Sequence, residues 1–476
     1  MRMKGLRWSG FFPYRSLMSN ADFFFGAGTS SYQIEGAWNA DGKGPSIWDY
    51  HTRNPGAVYR GHSGDVACDH YYRYQEDVRL MQTIGLQAYR FSINWPRVLP
   101  EGTGLPNEAG LAFYDRLVDE LLEAGITPWI TLYHWELPWA LHVRGGWLNP
   151  DMPKHVADFA ALMATRLGDR VTNWITLNEP QVFIGLGYAN GVHAPGYKLS
   201  LRECLLGAHH AVLAHHAAVG AIREHALQPV QIGSAPVGVV CRPQTESAAD
   251  VEAARRATYA IKKPTTHTPD DLIGCLWNST WWIDAMVLGT YPAEGLEAFN
   301  GFLPENAQHE LNEAFLPTDF VGSNIYHGRT VKATADGGFE HVDLPAGSPR
   351  TTMGWDITPD ILYWGGKYLY ERYKKPMYIT ENGIAVPELV NDEHAVEDTV
   401  REQFIKVHLR GLQRAREEGI PYKGYFHWSL MDNFEWEQGY SQRFGIVYVD
   451  YQSQERILKR SGKAFAPIVR EITGLE

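Results

Sequence analysis

The sequence predicts an α/β fold, a single (β/α)8 TIM barrel with enlarged βα loops. Three observations predict it. Eight short, apolar, β-rich runs recur along the 476 residues. Amphipathic stretches separate most of them, and strand alternating with helix means parallel strands joined by crossovers. No linker or low-complexity segment divides the chain. Its length exceeds the ~250 residues usual for such a barrel, so the surplus belongs to inserted loops.

In chain order the runs are Phe23–Ser30, Ala88–Trp95, Pro128–Trp135, Asn173–Glu179, Val230–Val240, Phe320–Tyr326, Pro376–Glu381 and Gly424–Leu430. The fourth, NWITLNE, is a buried strand that turns abruptly polar, and the following Pro180 cannot continue a ladder. Between the second and third runs, the stretch from Phe113 carries apolar residues at helical spacing. It stops at Gly125, where a helix C-terminus favours glycine. Residues 1–17 precede the first strand and are expected to form an extension outside the fold, with the barrel over 18–476.

Composition narrows the function classes. A hydrophobic share of 44% is that of a globular chain. The net charge of −12, from 43 basic and 55 acidic residues, argues against nucleic acid or an anionic membrane as partner. Cys68, Cys204, Cys241 and Cys275 are far apart with no CxxC pair, which argues for reduced, buried thiols over a disulfide framework or a zinc knuckle. No uninterrupted apolar run of about 18 residues exists to span a bilayer. The segment MRMKGLRWSGFFPYRSL lacks the apolar core of a signal peptide, so a cytoplasmic location is expected. The 16 Trp, 25 Tyr and 19 Phe fit either a large aromatic core or a cleft that stacks flat apolar faces, such as those of sugars.

A barrel gathers its functional groups at the C-terminal ends of the strands, where the βα loops share one face. Here those ends carry Arg90, His134, Asn178, Glu179, Asn324, Tyr326, Glu381 and Trp428. A single glutamate is more often exposed or salt-bridged than functional. Two of them, ending the fourth and seventh strands among such neighbours, suit glycosidic bond cleavage. That reaction needs one acid to protonate the leaving oxygen and one carboxylate for the anomeric carbon.

Other signals carry less. His209, His210, His215 and His216 cluster, but no pair stands at i,i+4 and no HExxH is present, so packed or solvated helix histidines are expected rather than a metal site. Gly26 and Gly28 begin a GxGxx pattern without the βαβ context of a dinucleotide fold; they are expected to let backbone approach a site. Asn278 begins a glycosylation sequon, which means little without secretion.

Six segments then acquire a family meaning. FFFGAGTSSYQIEGAW (23–38), YRFSINWPR (89–97), TLYHWELP (131–138), TLNEP (176–180), YITENG (378–383) and WSLMDNFEWEQGYSQRFGIVYVD (428–450) closely resemble the signature segments of glycoside hydrolase family one, the β-glucosidase family. The resemblance runs from about Phe23 to Phe465. It implies a single (β/α)8 barrel, a retaining mechanism, no cofactor and no metal. It makes Glu179 the general acid/base and Glu381 the nucleophile, supported by Arg90, Asn324 and Tyr326. It assigns sugar binding to Gln33, His134, Trp135, Asn178, Glu435 and Trp436, with Trp428 as stacking floor.

Glu435 in place of serine, and Gln442 close behind, depart from the phosphoglycosidase branch; Glu179 departs from the plant thioglucosidases, which lack the acid. Tyr188 and Trp355 are expected aglycone contacts at the rim. His427, by strand alternation beside Trp428, should point away from the mouth. The expected substrates are small β-glucosides such as cellobiose, with β-galactosides and β-fucosides tolerated, for a monomer or homo-oligomer. A transglycosylase would share every catalytic residue, and a non-catalytic sugar-binding barrel would typically have lost one carboxylate.

Overall fold

The computed structural model describes residues 23–475. The expected extension, residues 1–17, lies outside these described residues.

Eight parallel strands form the sheet: β1 (Phe24–Gly28), β2 (Ala88–Ser92), β3 (Thr127–Tyr133), β4 (Asn173–Asn178), β5 (Gln231–Ala235), β6 (Val321–Asn324), β7 (Met377–Asn382) and β8 (Tyr422–Trp428). Neighbours pair in chain order from β1 to β5 and from β6 to β8, and β8 pairs with β1. The ring closes between β5 and β6 through a parallel bridge from Val237 to Asn324. There Asn324 N donates to Pro236 O at 3.0 Å and Gly238 N to Asn324 O at 2.8 Å. All eight expected strands are present, most of them shorter than expected by a few residues. The fifth is cut most, because Pro236 has no N–H for the ladder. Past it, Cys241–Pro243 joins a separate small sheet with Arg329–Ala333 and Phe339–Val342.

The surrounding layer comprises α1 (His70–Ile84), α2 (Glu108–Glu123), α3 (Met152–Leu167), α4 (Leu201–His225), α5 (Ala307–Ala314), α6 (Ile361–Tyr373), α7 (Thr399–Glu417) and α8 (Arg460–Thr473). Helix α8 packs on α7 and on α1, so the end of the chain closes the helical ring onto its start. The expected stop at Gly125 is met: α2 ends at Glu123, and Gly125 takes a left-handed φ of 74° with its N–H on Leu122 O. Helix α4 opens with a capping box, in which Ser200 and Glu203 satisfy each other's backbone N–H groups. The surplus length lies in the βα loops, as the small three-stranded sheet and a hairpin of Val447–Val449 with Arg456–Leu458.

Inside the barrel, Phe24, Ala88, Trp129, Ile175, Ala235, Phe320 and Phe426 form a cluster of their own, with Tyr378 packed against it. Ring centroids lie 4.9–5.6 Å apart. Strand alternation turns each to the axis: Ala88 inward, Tyr89 outward, Arg90 inward again. The aromatic plug fills the lower barrel, and the polar layer rests on it.

His209, His210, His215 and His216 of α4 are buried, and each makes a hydrogen bond within the fold. His209 meets Tyr291 and Glu310, His210 the Trp147 carbonyl, His215 the Thr176 hydroxyl at 2.6 Å and His216 the Ala285 carbonyl. Asn278 is buried too, its amide on Cys275 O and its carbonyl oxygen accepting from Trp281 N, so the sequon is occupied with local structure. Among the described residues, no group of three or more His, Cys, Asp or Glu is arranged for a metal, and no helix is long and apolar enough to cross a membrane.

Phe426→Ala should destabilise the protein by about 3–5 kcal/mol, because the ring is fully buried among rings that cannot collapse into its space. The measurement is the urea midpoint; a midpoint equal to that of the parent protein would show that the plug is not close-packed.

Candidate active site at the barrel mouth

Above the aromatic plug sits a ring of polar side chains. Arg90 from β2 is fully buried, and its guanidinium directs its donors at three other strands. Nε donates to Thr131 Oγ1 at 3.1 Å, Nη2 to Asn178 Oδ1 at 2.6 Å, and Nη1 to Thr380 O at 3.0 Å and Glu381 Oε1 at 2.5 Å. Because guanidinium only donates, Asn178 must turn its oxygen toward Arg90. That leaves the Asn178 amide N–H₂ facing His134 Nε2 at 3.1 Å. Asn324 completes the ring: Nδ2 donates to Asn178 Oδ1 at 3.0 Å and Glu179 Oε1 at 2.9 Å, while Oδ1 accepts from the Thr380 hydroxyl at 2.6 Å.

Both carboxylate strands end irregularly. Register shifts interrupt β4 between Ile175 and Asn178, and β7 between Ile379 and Asn382. Such irregularities re-aim side chains that strict alternation would send to opposite faces, so Asn178 and Glu179 both reach the mouth, as do Thr380 and Glu381. Glu179 has a left-handed φ of 45°, fixed by its N–H on Ala235 O at 2.9 Å and by Pro180 opening the next helix. Trp135 and Trp436, at φ 87° and 46°, are also left-handed. Bulky residues held there cost of order 1–3 kcal/mol each, a cost that concentrates at functional sites.

The electrostatics separate the two acids. Burial raises the carboxyls of both Glu179 and Glu381, which are 8% and 3% exposed. The negative charge of Glu381 adds to the rise at Glu179, against which stand only the Asn324 amide and the more distant Arg90. At Glu381, Arg90 and the Tyr326 hydroxyl, 2.6 Å from Oε2, oppose the burial directly. Glu179 therefore stands well above Glu381, and the proton of the pair resides on Glu179.

The remaining expected residues converge on the same mouth, with one exception. Gln33 donates to Asn433 Oδ1 and Phe434 O, and lies 3.4 Å from Glu435 Oε2. His134 is near-parallel to both Trp428 and Trp436, with centroids 5.7 and 6.0 Å away and planes 19° from parallel in each pair. Burial and Arg90 push His134 well below the ordinary imidazole value, so it is neutral. Trp135 holds Asn178 O through Nε1 at 3.0 Å and packs 4.4 Å from Trp436. Glu435 is raised by burial and by the charges of Glu437, Glu381 and Glu179. A Cβ at Gly28 would stand 3.2 Å from the Trp428 ring, and one at Gly383 only 1.7 Å from Trp428 O; both glycines make room for that residue.

Trp355 is half-buried against Tyr326, His327 and Phe444. Tyr188 is the exception. It is 1% exposed and packs in the core, its hydroxyl accepting from Trp147 N, so it does not reach the rim. His427 faces outward as alternation requires, packed against Phe465 of α8.

Several contributors escaped sequence reasoning. Thr131 and Thr380 orient Arg90 and Asn324, and Asn433 holds Gln33. Glu136 accepts from the Ser31 hydroxyl and from Tyr32 N at 2.7 Å, anchoring the turn that carries Gln33; burial pushes its carboxyl up to about 8. The two threonines lie inside the family-like motifs on inward positions, and the period-2 pattern was the available signal.

A (β/α)8 barrel with two buried, unequally acidic carboxyls at its mouth, rimmed by indoles and amides, defines a glycoside hydrolase of the two-carboxylate class. Comparison with known proteins makes this specific. The model described as Glycosyl hydrolase family 1 matches residues 17–473, and the chain belongs to that family. Beta-glucosidase A of Thermotoga maritima is 42% identical over 95% of this chain and 98% of its own length. A bifunctional beta-D-glucosidase/beta-D-fucosidase of Bifidobacterium breve is 39% identical over 92% and 95%. The solved structure of the family 1 β-glucosidase from Thermotoga maritima in complex with isofagomine lactam has a TM-score of 0.85, covering 95% of this chain and 98% of that one.

In Glu381→Gln, the pKa of Glu179 should fall toward the ordinary glutamate value, because the charge that raises it has gone while Arg90 remains. Infrared difference titration of the carboxyl band reads this directly. A value unchanged or higher would mean that the two acids do not sense each other.

Proposed function

We propose that this family 1 enzyme is a retaining exo-β-glycosidase that releases terminal β-D-glucosyl residues from small β-glucosides such as cellobiose, with β-fucosides and β-galactosides as secondary substrates. The similarity to a β-glucosidase across nearly the whole of both chains supports the activity, and the relative named for both glucosidase and fucosidase supports the secondary substrates. The four cysteines are buried and unpaired, which suits a reducing, cytoplasmic setting.

The asymmetry of the two carboxyls carries the mechanism. Ionised Glu381, steadied by Arg90 and Tyr326, attacks the anomeric carbon. Protonated Glu179 gives its proton to the glycosidic oxygen as the bond to the aglycone breaks. The alcohol departs, and the glucosyl unit is left as an ester on Glu381. Esterification removes the negative charge that kept Glu179 protonated, so Glu179, now ionised, has become an effective base. It takes a proton from water, whose oxygen attacks the anomeric carbon from the side the aglycone left and expels Glu381. Two inversions restore the β configuration.

Sugar recognition uses paired hydrogen bonds, which penalise a substrate that leaves a buried group unsatisfied. In this reading Asn178 serves the 2-hydroxyl and Glu435 the 4- and 6-hydroxyls, with Gln33, His134, Trp135 and Trp436 completing the clamp over the Trp428 floor. A carboxylate at 435 also repels a 6-phosphate.

Glu381→Gly should abolish hydrolysis of an aryl β-glucoside, and added azide should restore turnover with α-glucosyl azide as product. With the parent enzyme, proton NMR should show β-glucose released first; α-glucose first would falsify retention. Tyr326→Phe removes a hydrogen bond to a charged group and should lower kcat/KM roughly tenfold to a hundredfold. Because that bond lowers the Glu381 pKa, its loss raises it, and the acid limb of the pH–rate profile should move to higher pH. An acid limb at the parent position would mean that the Tyr326 hydroxyl does not steady the nucleophile.

A further inference from the structure

Behind the sugar clamp, two loops meet through a pair of side chains that the mechanism does not use. His193 lies in the loop after β4, 5% exposed, and Glu437 follows Trp436 in the loop after β8. His193 Nε2 and Glu437 Oε2 are 2.5 Å apart. The histidine is rigidly mounted: its N–H binds Leu186 O at 3.0 Å, and its carbonyl accepts from Gly196 N at 2.8 Å. Its ring is wedged edge-on against Trp48 at 5.3 Å and lies 5.5 Å from Trp135. Burial pushes the Glu437 carboxyl up, but the His193 contact, together with its own backbone N–H and the Gln438 amide, leaves the group below the ordinary value.

The turn from Glu435 to Gly439 is closed by Glu435 N on Gly439 O at 2.7 Å and Gly439 N on Trp436 O at 3.0 Å. These bonds set its shape but not how far it leans over the pocket. Tyr440 ties its far end to His62 and Ser63. At the tip, Trp436 is held in a left-handed conformation that must be imposed by its surroundings. There Trp436 packs on Trp48 and Trp135, and the His193–Glu437 bond joins the tip to the β4 loop, whose strand ends in Asn178.

We propose that His193, through Glu437, is a positioning residue for Trp436 and Glu435, and so sets how strongly the site reads the 4- and 6-hydroxyls of the sugar. This rests on the glycosidase reading above. Neither side chain is assigned to the substrate. Their effect is to hold the turn at the height at which Glu435 and the indole meet the far edge of the ring. The Glu437 charge also acts on Glu435, so the place at which His193 holds it bears on that carboxyl.

The test compares an aryl β-glucoside with its 4-deoxy, 6-deoxy and 2-deoxy analogues, on the parent enzyme, His193→Ala, Glu437→Ala and the double variant. His193→Ala should lower kcat/KM for the glucoside about tenfold or more, the loss expected for a hydrogen bond to a charged group. The penalty for deleting the 4- or 6-hydroxyl should shrink by a similar factor, while the penalty for deleting the 2-hydroxyl should not change. His193→Gln, which can still donate, should recover most of the loss. The double variant should be little worse than either single one, since both remove the same contact. Equal losses on all four substrates, or additive single losses, would overturn the proposal. If His193→Ala does not fold, Glu437→Ala must give the same substrate split, and its failure to do so counts equally against the idea. Absence of glycosidase activity in the parent enzyme would instead defeat the proposed function, so the two failures are distinguishable.

Discussion

The buried guanidinium of Arg90 is the constraint on which the rest of the site depends. A cation taken fully out of water, inside a barrel and above a plug of aromatic rings, is strongly destabilising unless its donors are matched. The matches come from Thr131, Asn178, Thr380 and Glu381, on three neighbouring or opposing strands. The same bonds that neutralise Arg90 therefore set the orientation of Asn178, the ionisation of Glu381 and, through Asn178 and Asn324, the position of Glu179. Removing the charge at Glu381 disturbs all of them together, and the site behaves as one network rather than a set of independent contacts.

The aromatic plug and the polar layer are two halves of one arrangement. Phe24, Trp129, Phe320, Tyr378 and Phe426 keep water from the lower barrel, so charges just above them interact in a medium of low polarity. There the repulsion between two carboxylates is strong enough to separate their acidities. In bulk water the same pair would both be ionised, and neither could give a proton. Packing in the core thus contributes to chemistry that takes place a layer above it.

The loop after β8 shows how a strained segment is held from several sides. Asp432 is buried at its start, accepting from Lys459 Nζ at 2.7 Å and Gly445 N at 3.0 Å. Asn433 grips Gln33, and Trp436 packs on Trp48 and Trp135. Left-handed conformations at Glu179, Trp135 and Trp436 are the local cost of turning three large side chains toward one point. They persist because the surrounding contacts over-determine them.

Local chemistry was legible in the sequence because it obeys short-range rules. Short apolar, β-rich runs located all eight strands, Gly125 marked the end of α2, and acids following apolar runs in TLNEP and YITENG pointed to the mouth. What the chain could not disclose depends on partners distant along it. Pro236 ended the fifth strand early, yet the residues just beyond it joined a second sheet whose other strands lie far along the chain. Tyr188 carries the same phenol as Tyr326, but one packs behind Trp147 and the other touches Glu381. The resemblance assigned the acid's role to Glu179, but its physical cause is three-dimensional, since Arg90 and Tyr326 bond directly to Glu381. Residue type and spacing determine what each position can do; burial and neighbours, which exist only after folding, decide which of those possibilities is realised.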